Sequence, residues 1–463
     1  MKQPSTGTHV DYHAIPGPRG KALVSATKAL VQRPHDFLLE LALQYGGIVC
    51  MPFPLETVII VTDADAIQHI FHKNHANYSK QTARFRSLAE IMGYGLFTTD
   101  GDVWRRQRQR VQPAFHHDRL AHFEEVAMAE TVETLASWRQ LAATGAPIAL
   151  NRELLRLTLL IIVKAMFGAN IRGVLEPAVE AFEQAHTFIN PVSLVNLLDP
   201  PRSVKRWVAP GFRGFEEALG VLHGVIQRIV DERQREGVDR GDLLSMLIAG
   251  RDEEAGDAMT APQVQDEIMT MFMAGHETVA LGLTWSVYLL STHPTIRRQL
   301  QDELSTVLGG RDPQFADLAD LHLTRMVIDE AMRLYPPGWA IDRLALGSDV
   351  LGGYTIPAGA TVGIPMYAVH RLPRYWPNPE GFDPWRFTPE RSAGRPQYAY
   401  FPFGGGPRRC IGMRFALVQM QLLLAAIVQQ FDLDLVPGPP IKPRARLNFS
   451  PSRNVMMTLH PRN

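Results

Sequence analysis

Apolar residues recur three or four positions apart over most of the span from about Leu120 to Leu334, the spacing of amphipathic and buried helices. The best-marked pattern runs from about Ala261 to Ser291. Thr260 and Gln263 are spaced as a capping box at its start, Pro262 falls in the tolerated first turn, and His293-Pro294 closes it. About 30 residues of helix would be roughly 45 Å long, enough to cross a whole domain. Its polar break is Ala274-Gly-His-Glu-Thr278, where the glycine costs about 1 kcal/mol against alanine. Elsewhere the pattern changes. Gly47 to Thr62 is rich in Val and Ile and holds Pro52 and Pro54, which predicts two strands around a turn. The C-terminal third returns to short strands and proline-rich loops, as in Gly352-Gly-Tyr-Thr-Ile-Pro357. A last long helix follows Cys410 through about Gln429. Ile15-Pro-Gly-Pro-Arg-Gly20 predicts an extended, irregular lead-in. With no internal repeat and no low-complexity linker, the expectation is one large, mostly helical domain with a small β region over residues 1–463, residues 1–20 being the lead-in.

Composition narrows the function. Of 463 residues, 46% are hydrophobic and 20% charged, which excludes a disordered or fibrous chain. Lys+Arg and Asp+Glu are both 47, so no global basic field exists for nucleic acid. The two cysteines, Cys50 and Cys410, exclude a disulfide framework and any zinc site needing several thiolates. Met1 to Gly20 has no apolar core, so no signal peptide is expected. The longest unbroken apolar runs, Leu422–Val428 and Leu159–Val163, fall well short of the roughly 18–20 residues of a membrane span. A reducing, cytoplasmic setting without a transmembrane anchor follows, and the sequons at Asn77 and Asn448 are accidental on that reading.

The sharpest segment is Phe401-Pro-Phe-Gly-Gly-Gly-Pro-Arg-Arg-Cys-Ile-Gly412. A glycine run lets backbone fold tightly about one centre, and amide N–H groups can then point at a single sulfur. Cys410 also precedes a helix, whose positive N-terminal end favours a thiolate. A lone thiolate without clustered histidines suits an axial ligand to haem iron, where the porphyrin supplies the remaining in-plane donors. A buried inert cysteine is the alternative. A phosphate loop fails because no Gly-x-x-x-x-Gly-Lys-Ser/Thr is present.

With Phe403-x-x-Gly406-x-Arg408-x-Cys410-x-Gly412, the chain resembles the cytochrome P450 family, whose haem-binding signature this is, over nearly its whole length and with further motifs in family order. The resemblance implies a mostly helical fold with a long central helix over the haem. It implies haem b as cofactor, held by Cys410 as the metal ligand, with Phe403 in the same loop. Trp104-x-x-x-Arg108, Arg343 and Arg408 match family positions near the haem propionates, and arginine forks suit carboxylates. Glu330-Ala-Met-Arg333 puts both charges on one helix face, which alone reads as a surface ion pair. In the family a later arginine, here matched by Arg386, joins them in a buried structural triad. Glu277 and Thr278 match the family's acid–alcohol pair for proton delivery, with the Thr278 hydroxyl able to bond the Ala274 carbonyl. Small Ala274 and Gly275, with Met271 on the same face, would leave a groove for a diatomic ligand. A zinc-protease reading of His276-Glu277 fails because Ala280 stands where the second histidine is needed. His276 itself receives no role beyond a packed or exposed polar side chain.

The resemblance also points to a substrate pocket in Phe85, Leu88, Ile91, Met92, Leu96 and Phe97, then Trp339 and Ile341; all are apolar, and core packing explains each as well. Arg84 or Arg86 could clamp a carboxylate. Phe188 to Phe212, with Pro191, Pro200, Pro201 and Pro210, resembles the family's mobile access lid. Arg105, Arg106 and Arg110, helped by Arg409 and Arg414, form either a docking patch for an acidic redox partner or a solvated charge run. The chain ends about 50 residues after Cys410 with no thiol cluster, so electrons are expected from a separate ferredoxin or flavodoxin with its reductase. The activity implied is dioxygen-dependent hydroxylation or epoxidation of an apolar small molecule: a terpenoid, fatty acid, steroid or polyketide. The alternatives are a peroxide-using or isomerising haem-thiolate enzyme, against which Glu277–Thr278 argues, and a non-enzymatic haem-binding sensor, for which no spare effector segment is visible.

Overall fold

A computed structural model of the chain describes residues 14–53, 56–188, 204, 206–207, 209, 211–249 and 259–462. Most of the lid-like stretch from Phe188 to Phe212 lies outside the described residues. The chain divides into two compact units. The first comprises Met1–Thr82, Trp339–Pro379 and Arg395–Arg409; the second comprises Ala83–Gly338, Glu380–Gly394 and Cys410–Asn463.

The first unit is built on a five-stranded mixed sheet with spatial order Ile48–Pro52, Thr57–Val61, Thr361–Ile364, Ile341–Ala345 and Tyr78–Ser79. The β-branched runs Ile48-Val and Thr57-Val-Ile-Ile-Val make the expected antiparallel pair, with Cys50 opposite Ile59. Thr57–Val61 then pairs parallel with Thr361–Ile364, which places Ile59 opposite Val362. Both strand faces are buried, and a core of Ile59, Val61, Ile67, Phe71, Tyr78, Val362, Tyr398 and Phe401 fills one of them. Residues 15–20 run without helix up to the helix Lys21–Gln32, as expected. It is tied down by Cys50 N–H donating to the Pro16 carbonyl at 2.8 Å and by Arg19 donating to the Cys50 and Ile15 carbonyls, each at 2.8 Å. The Gly352-Gly353 turn joins the paired strands Asp349–Leu351 and Tyr354–Ile356, two of the short strands of the C-terminal third.

Helices dominate the second unit: Leu120–Thr144, Leu150–Phe167, Leu175–Phe188, Phe212–Glu236, Pro294–Leu308, His322–Leu334 and Met413–Gln430 among them. The central element differs from expectation. In place of one helix there are two, Ala261–Gly275 and Glu277–Thr292, meeting at His276, whose φ is −104°. Side chains account for the break. The His276 ring donates from Nδ1 to the Phe272 carbonyl, and Thr278 Oγ1 donates to the Ala274 carbonyl at 2.9 Å. These are the carbonyls an unbroken helix would offer to the N–H groups of residues 276 and 278, so two ladder positions are taken over at once. The capping box at Thr260 and Gln263 and the stop at His293-Pro294 are both present.

The helix Glu277–Thr292 is buried nearly all round and packs on Leu150–Phe167, His322–Leu334 and Met413–Gln430. Its internal hydroxyls turn back on their own helix: Thr284 donates to the Ala280 carbonyl and Ser286 to the Gly282 carbonyl, both at 2.7 Å. Among the described residues, Met413–Gln430 is one helix with the length and apolarity to cross a membrane, although no unbroken run in it reaches that length. About its apolar stretch, 72% is buried inside the protein, and its interrupting Gln419 and Gln421 are buried with it.

Candidate functional site

Two sets of predicted residues lie in the two units. In the first, the loop leading to Cys410 is folded onto aromatic side chains. Phe71, Tyr398 and Phe401 form a triangle with ring centroids 5.6–6.1 Å apart. The Phe401 N–H donates to His370 Nε2 at 3.1 Å, which fixes where the glycine run starts. Gly406 has φ +64°, and a Cβ there would stand 1.8 Å from the Phe71 carbonyl oxygen, so this position admits glycine alone. The Tyr398 hydroxyl receives the Gly406 N–H, and burial raises its pKa. A Cβ placed on Gly404 would touch Ile341 at 3.5 Å, so this predicted pocket residue flanks the glycine run. Trp339 is buried. Arg343, also buried, lies with its guanidinium 5.9 Å from the centre of the Phe71 ring and donates to the Asp342 carbonyl. Phe403 and Arg408 are half-buried in the same loop.

In the second unit Cys410 is exposed and stands two residues before Gly412, the N-cap of the helix Met413–Gln430. The inert-cysteine alternative describes the other thiol instead: Cys50 is fully buried in its strand, and burial pushes its thiol up. Trp104 and Arg108 share a face of the helix Gly101–Val111 and are both half-buried. Arg105 bonds Asp102 on the exposed side of that helix, and Arg106, Arg409 and Arg414 are exposed.

The Glu330 side chain is wholly buried and collects four donors. Arg333 gives Nε at 2.6 Å and Nη2 at 2.8 Å, Arg386 gives Nε at 3.2 Å, and the Asp383 N–H arrives at 3.0 Å. The surface-pair alternative is thereby excluded. Sequence reasoning missed the backbone members, Asp383 N–H and the Gly381 carbonyl that accepts from both arginines. Backbone groups leave no residue-type signal.

Around the helix break, Thr278 and Ala274 are half-buried and bonded as expected. Glu277 is buried and accepts from the Asn448 side chain, a partner 171 positions away that nothing local announces. The same bond occupies the amide of one sequon. The Asn77 amide of the other is engaged at both ends by Gly347, at 2.7 and 3.0 Å. Gly275 corrects an expectation: a Cβ on it would stand 2.9 Å from Ile162, so its smallness serves close packing against the helix Leu150–Phe167 and not an open groove. That packing offsets the helical cost of the glycine. His276 is fully buried between the rings of Phe182 and Phe272, at centroid distances of 4.5 and 5.5 Å. Phe85, Leu88, Ile91, Met92 and Leu96 are buried, as is Met271, while Phe97 is 36% exposed and touches Phe85 at 5.6 Å between centroids.

The 93–99 segment is clamped by residues the sequence did not single out. Asp266 accepts the Tyr94 N–H at 2.8 Å, Glu267 accepts the Leu96 N–H at 3.0 Å, and buried Gln107 donates to the Tyr94 carbonyl at 2.8 Å. Burial raises Glu267 to about 7, with neighbouring Asp266 adding to the rise and the Leu96 N–H opposing it.

This chemistry fits a metal whose other donors come from a prosthetic group. One thiol is accessible, at a helix start, behind a loop that only glycines allow to close. Among the described residues no group of three or more His, Cys, Asp or Glu side chains could hold a metal ion without such a group. The comparisons agree. Residues 15–459 match the family model described as cytochrome P450. The chain is 33% identical to cyclooctatin synthase of Streptomyces melanosporofaciens, over 97% of this chain and 95% of that protein. It is 29% identical to cyclooctat-9-en-7-ol 5-monooxygenase of the same organism, over 91% and 90%. It is 30% identical to pentalenene oxygenase of Streptomyces avermitilis, over 94% of each. A signature loop built around an accessible cysteine and a family match spanning both units lead to one conclusion: the chain belongs to the cytochrome P450 family, a haem-binding monooxygenase that uses dioxygen and a redox partner on small molecules.

Proposed function

We propose that this enzyme hydroxylates or epoxidises a polycyclic terpenoid, with electrons from a separate ferredoxin or flavodoxin and its reductase. The names of three similar proteins, two carrying the suffixes of an alkene and an alcohol, favour the terpenoid among the four classes open to the sequence. The buried apolar side chains Phe85, Leu88, Met92 and Met271 suit such a skeleton. The two units act as one haem-thiolate domain, since the family match runs through both. The two-cysteine composition suits a reducing, cytoplasmic setting.

Cys410 would hold the iron through its thiolate. Haem held there would supply dioxygen activation. Trp104, Arg108, Arg343 and Arg408 would hold the propionates by charge-assisted hydrogen bonds, and Phe403 would pack in the ligand loop. Glu330, Arg333 and Arg386 do no chemistry; they hold a buried strut. Thr278 moves protons. Its hydroxyl donates to the Ala274 carbonyl and would be the proton donor at the helix break, with Glu277, held by Asn448, as the acid behind it. Arg105, Arg106, Arg110, Arg409 and Arg414 meet the acidic redox partner.

The observation that carries this reading is the exposed Cys410 behind the glycine loop and before the helix Met413–Gln430. The test is the carbon-monoxide difference spectrum of the reduced holoenzyme and of Cys410→Ser. The wild type is expected to give the strongly red-shifted Soret band of a thiolate ligand, and the variant to lose it. An ordinary haem–CO spectrum in the wild type, or an unchanged one in the variant, overturns the ligand assignment.

A further inference from the structure

On the helix Ala261–Gly275, Glu267 is 0% exposed. Its Oε2 accepts the Leu96 N–H at 3.0 Å, and that bond alone would anchor the loop. Its Oε1 is buried with no hydrogen-bond partner, and so is Oγ1 of Thr270, one turn on. Buried hydroxyls in helices ordinarily donate to the carbonyl four residues back. Thr158, Thr278 and Thr284 all do so here, and Thr270 does not. The loop above comes close enough that a Cβ on Gly95 would lie 2.2 Å from Thr270 Oγ1. Two buried oxygens one helical turn apart with unused capacity are uncommon in folded proteins, and a substrate group that pairs with them would account for both.

Their position says which ligand. On the helix Ala261–Gly275, Glu267, Met271 and Ala274 fall on one stripe about 60° wide, with Thr270 beside it. The stripe is closed at Glu267 and half-exposed at Ala274, whose carbonyl accepts from Thr278. Glu267 stands roughly 10 Å along the axis from Ala274, the scale of a terpenoid skeleton lying lengthwise.

We propose that Oε1 of Glu267 and Oγ1 of Thr270 anchor a hydroxyl group on the far end of the substrate, so that the enzyme selects a terpenoid alcohol over the parent hydrocarbon. The proposal rests on the monooxygenase reading above. A hydroxyl both donates and accepts, and the pair can answer both ways: Thr270 carries a proton to donate, and the carboxyl, raised to about 7, offers an acceptor oxygen in either protonation state. A hydrocarbon would leave both oxygens buried and unpaired, which is how a polar site rejects an analogue lacking the group. The alcohol must come from an earlier step, either a previous oxygenation or a cyclisation quenched by water.

The test is titration of the purified holoenzyme, read as the spin-state shift of the Soret band, with two matched pairs of probes: cedrene with cedrol, and abietadiene with abietadienol. The wild type is expected to bind at least one alcohol about tenfold tighter than its hydrocarbon. Thr270→Val, which removes only the hydroxyl, is expected to bring that ratio near one by weakening the alcohol alone, and Glu267→Leu, which also releases the Leu96 N–H, is expected to lower the ratio as well. A merely structural role would weaken both members of a pair alike, and that outcome overturns the proposal. So does a wild type with no preference for either alcohol, including one that shows no shift with them, or a ratio unchanged in Thr270→Val. The carbon-monoxide spectrum separates the failures. A wild type with the thiolate band and no alcohol preference refutes only the anchor, whereas a wild type without that band takes both readings down.

Discussion

Glu330→Gln should make the protein unfold several degrees earlier than the wild type. Glu330 is 0% exposed and accepts from both nitrogens of an Arg333 fork, from Arg386 and from the Asp383 N–H. Glutamine keeps the shape but not the charge. One end of its amide becomes a donor aimed at guanidinium N–H groups, and two buried cations lose their counter-charge. Removing one member of a buried ion pair costs about 3–5 kcal/mol. The unfolding entropy of a 463-residue chain, at roughly 2.1 cal/mol/K per residue, is about 1 kcal/mol/K, so the melting temperature should fall by about 3–5 °C. The assay is calorimetry of holoenzyme at one fixed scan rate, because irreversible unfolding makes the midpoint rate-dependent. Glu236→Gln is the control within the same unit. Glu236 meets Arg240 at 2.6 Å with side chains 36% and 40% exposed, and a helical surface pair of that kind is worth about 0.3–0.5 kcal/mol. A Glu330→Gln protein that loses no more than Glu236→Gln would refute the reasoning that burial, and not distance, makes this network matter.

Thr278→Ala should let oxygen consumption run ahead of product formation, while Thr278→Ser restores most of the coupling; equal ratios of product to oxygen in all three proteins would remove the hydroxyl from the proton path. Gly406→Ala forces a Cβ to within 1.8 Å of the Phe71 carbonyl at a φ of +64°, so the loop must move and haem content of the purified protein should drop sharply; full occupancy, measured as the pyridine haemochrome, would contradict the packing argument. Glu267 sits at about 7 in the folded protein against an ordinary 4.5, so the folded state keeps a proton that the unfolded state has released. Stability should therefore fall as pH rises from about 4.5 to about 7, by roughly 3 kcal/mol for a shift of this size, and stay lower above. Glu267→Gln removes the titration, so its melting temperature should gain on the wild type progressively between pH 5 and pH 8; a constant difference across that range would show that the carboxyl titrates normally.

The sequence made local features legible and long-range ones not. The capping box at Thr260 and Gln263, the His293-Pro294 stop and the short strand in Gly352–Pro357 are written in nearby residues, and all stand where the pattern puts them. The cysteine loop was legible for the same reason, since its glycines and Cys410 are contiguous. The central helix was overestimated because helical spacing continues through residues 274–278, while the break is made by side chains of His276 and Thr278 capturing carbonyls. Asn448, which orients Glu277, and Gly381, which closes the Glu330 network, are brought in by the fold from 171 and 48 positions away. Gly275 was read as a groove former because its partner Ile162, on another helix, could not be seen.

The polar residues along the central pair of helices sort into two populations, and the sorting links packing to function. Thr284 and Ser286 lie where the helix is buried nearly all round, and each satisfies its hydroxyl on its own backbone, which costs the helix little and asks nothing of a neighbour. Glu277 and Thr278 lie at the break and use partners they can exchange: a side-chain amide and a carbonyl already released from the ladder. A proton path needs that second arrangement. On the proposed proton path, the Thr278 hydroxyl stands where the backbone ladder is already interrupted beside His276, whereas those of Thr284 and Ser286 stand within regular helix. The interruption is in turn held in place by aromatic packing, since the His276 ring is fixed between Phe182 and Phe272 and cannot release the Phe272 carbonyl to the helix without leaving them. On the proposed mechanism, His276, for which the sequence suggests no role, holds the break beside which Glu277 and Thr278 stand.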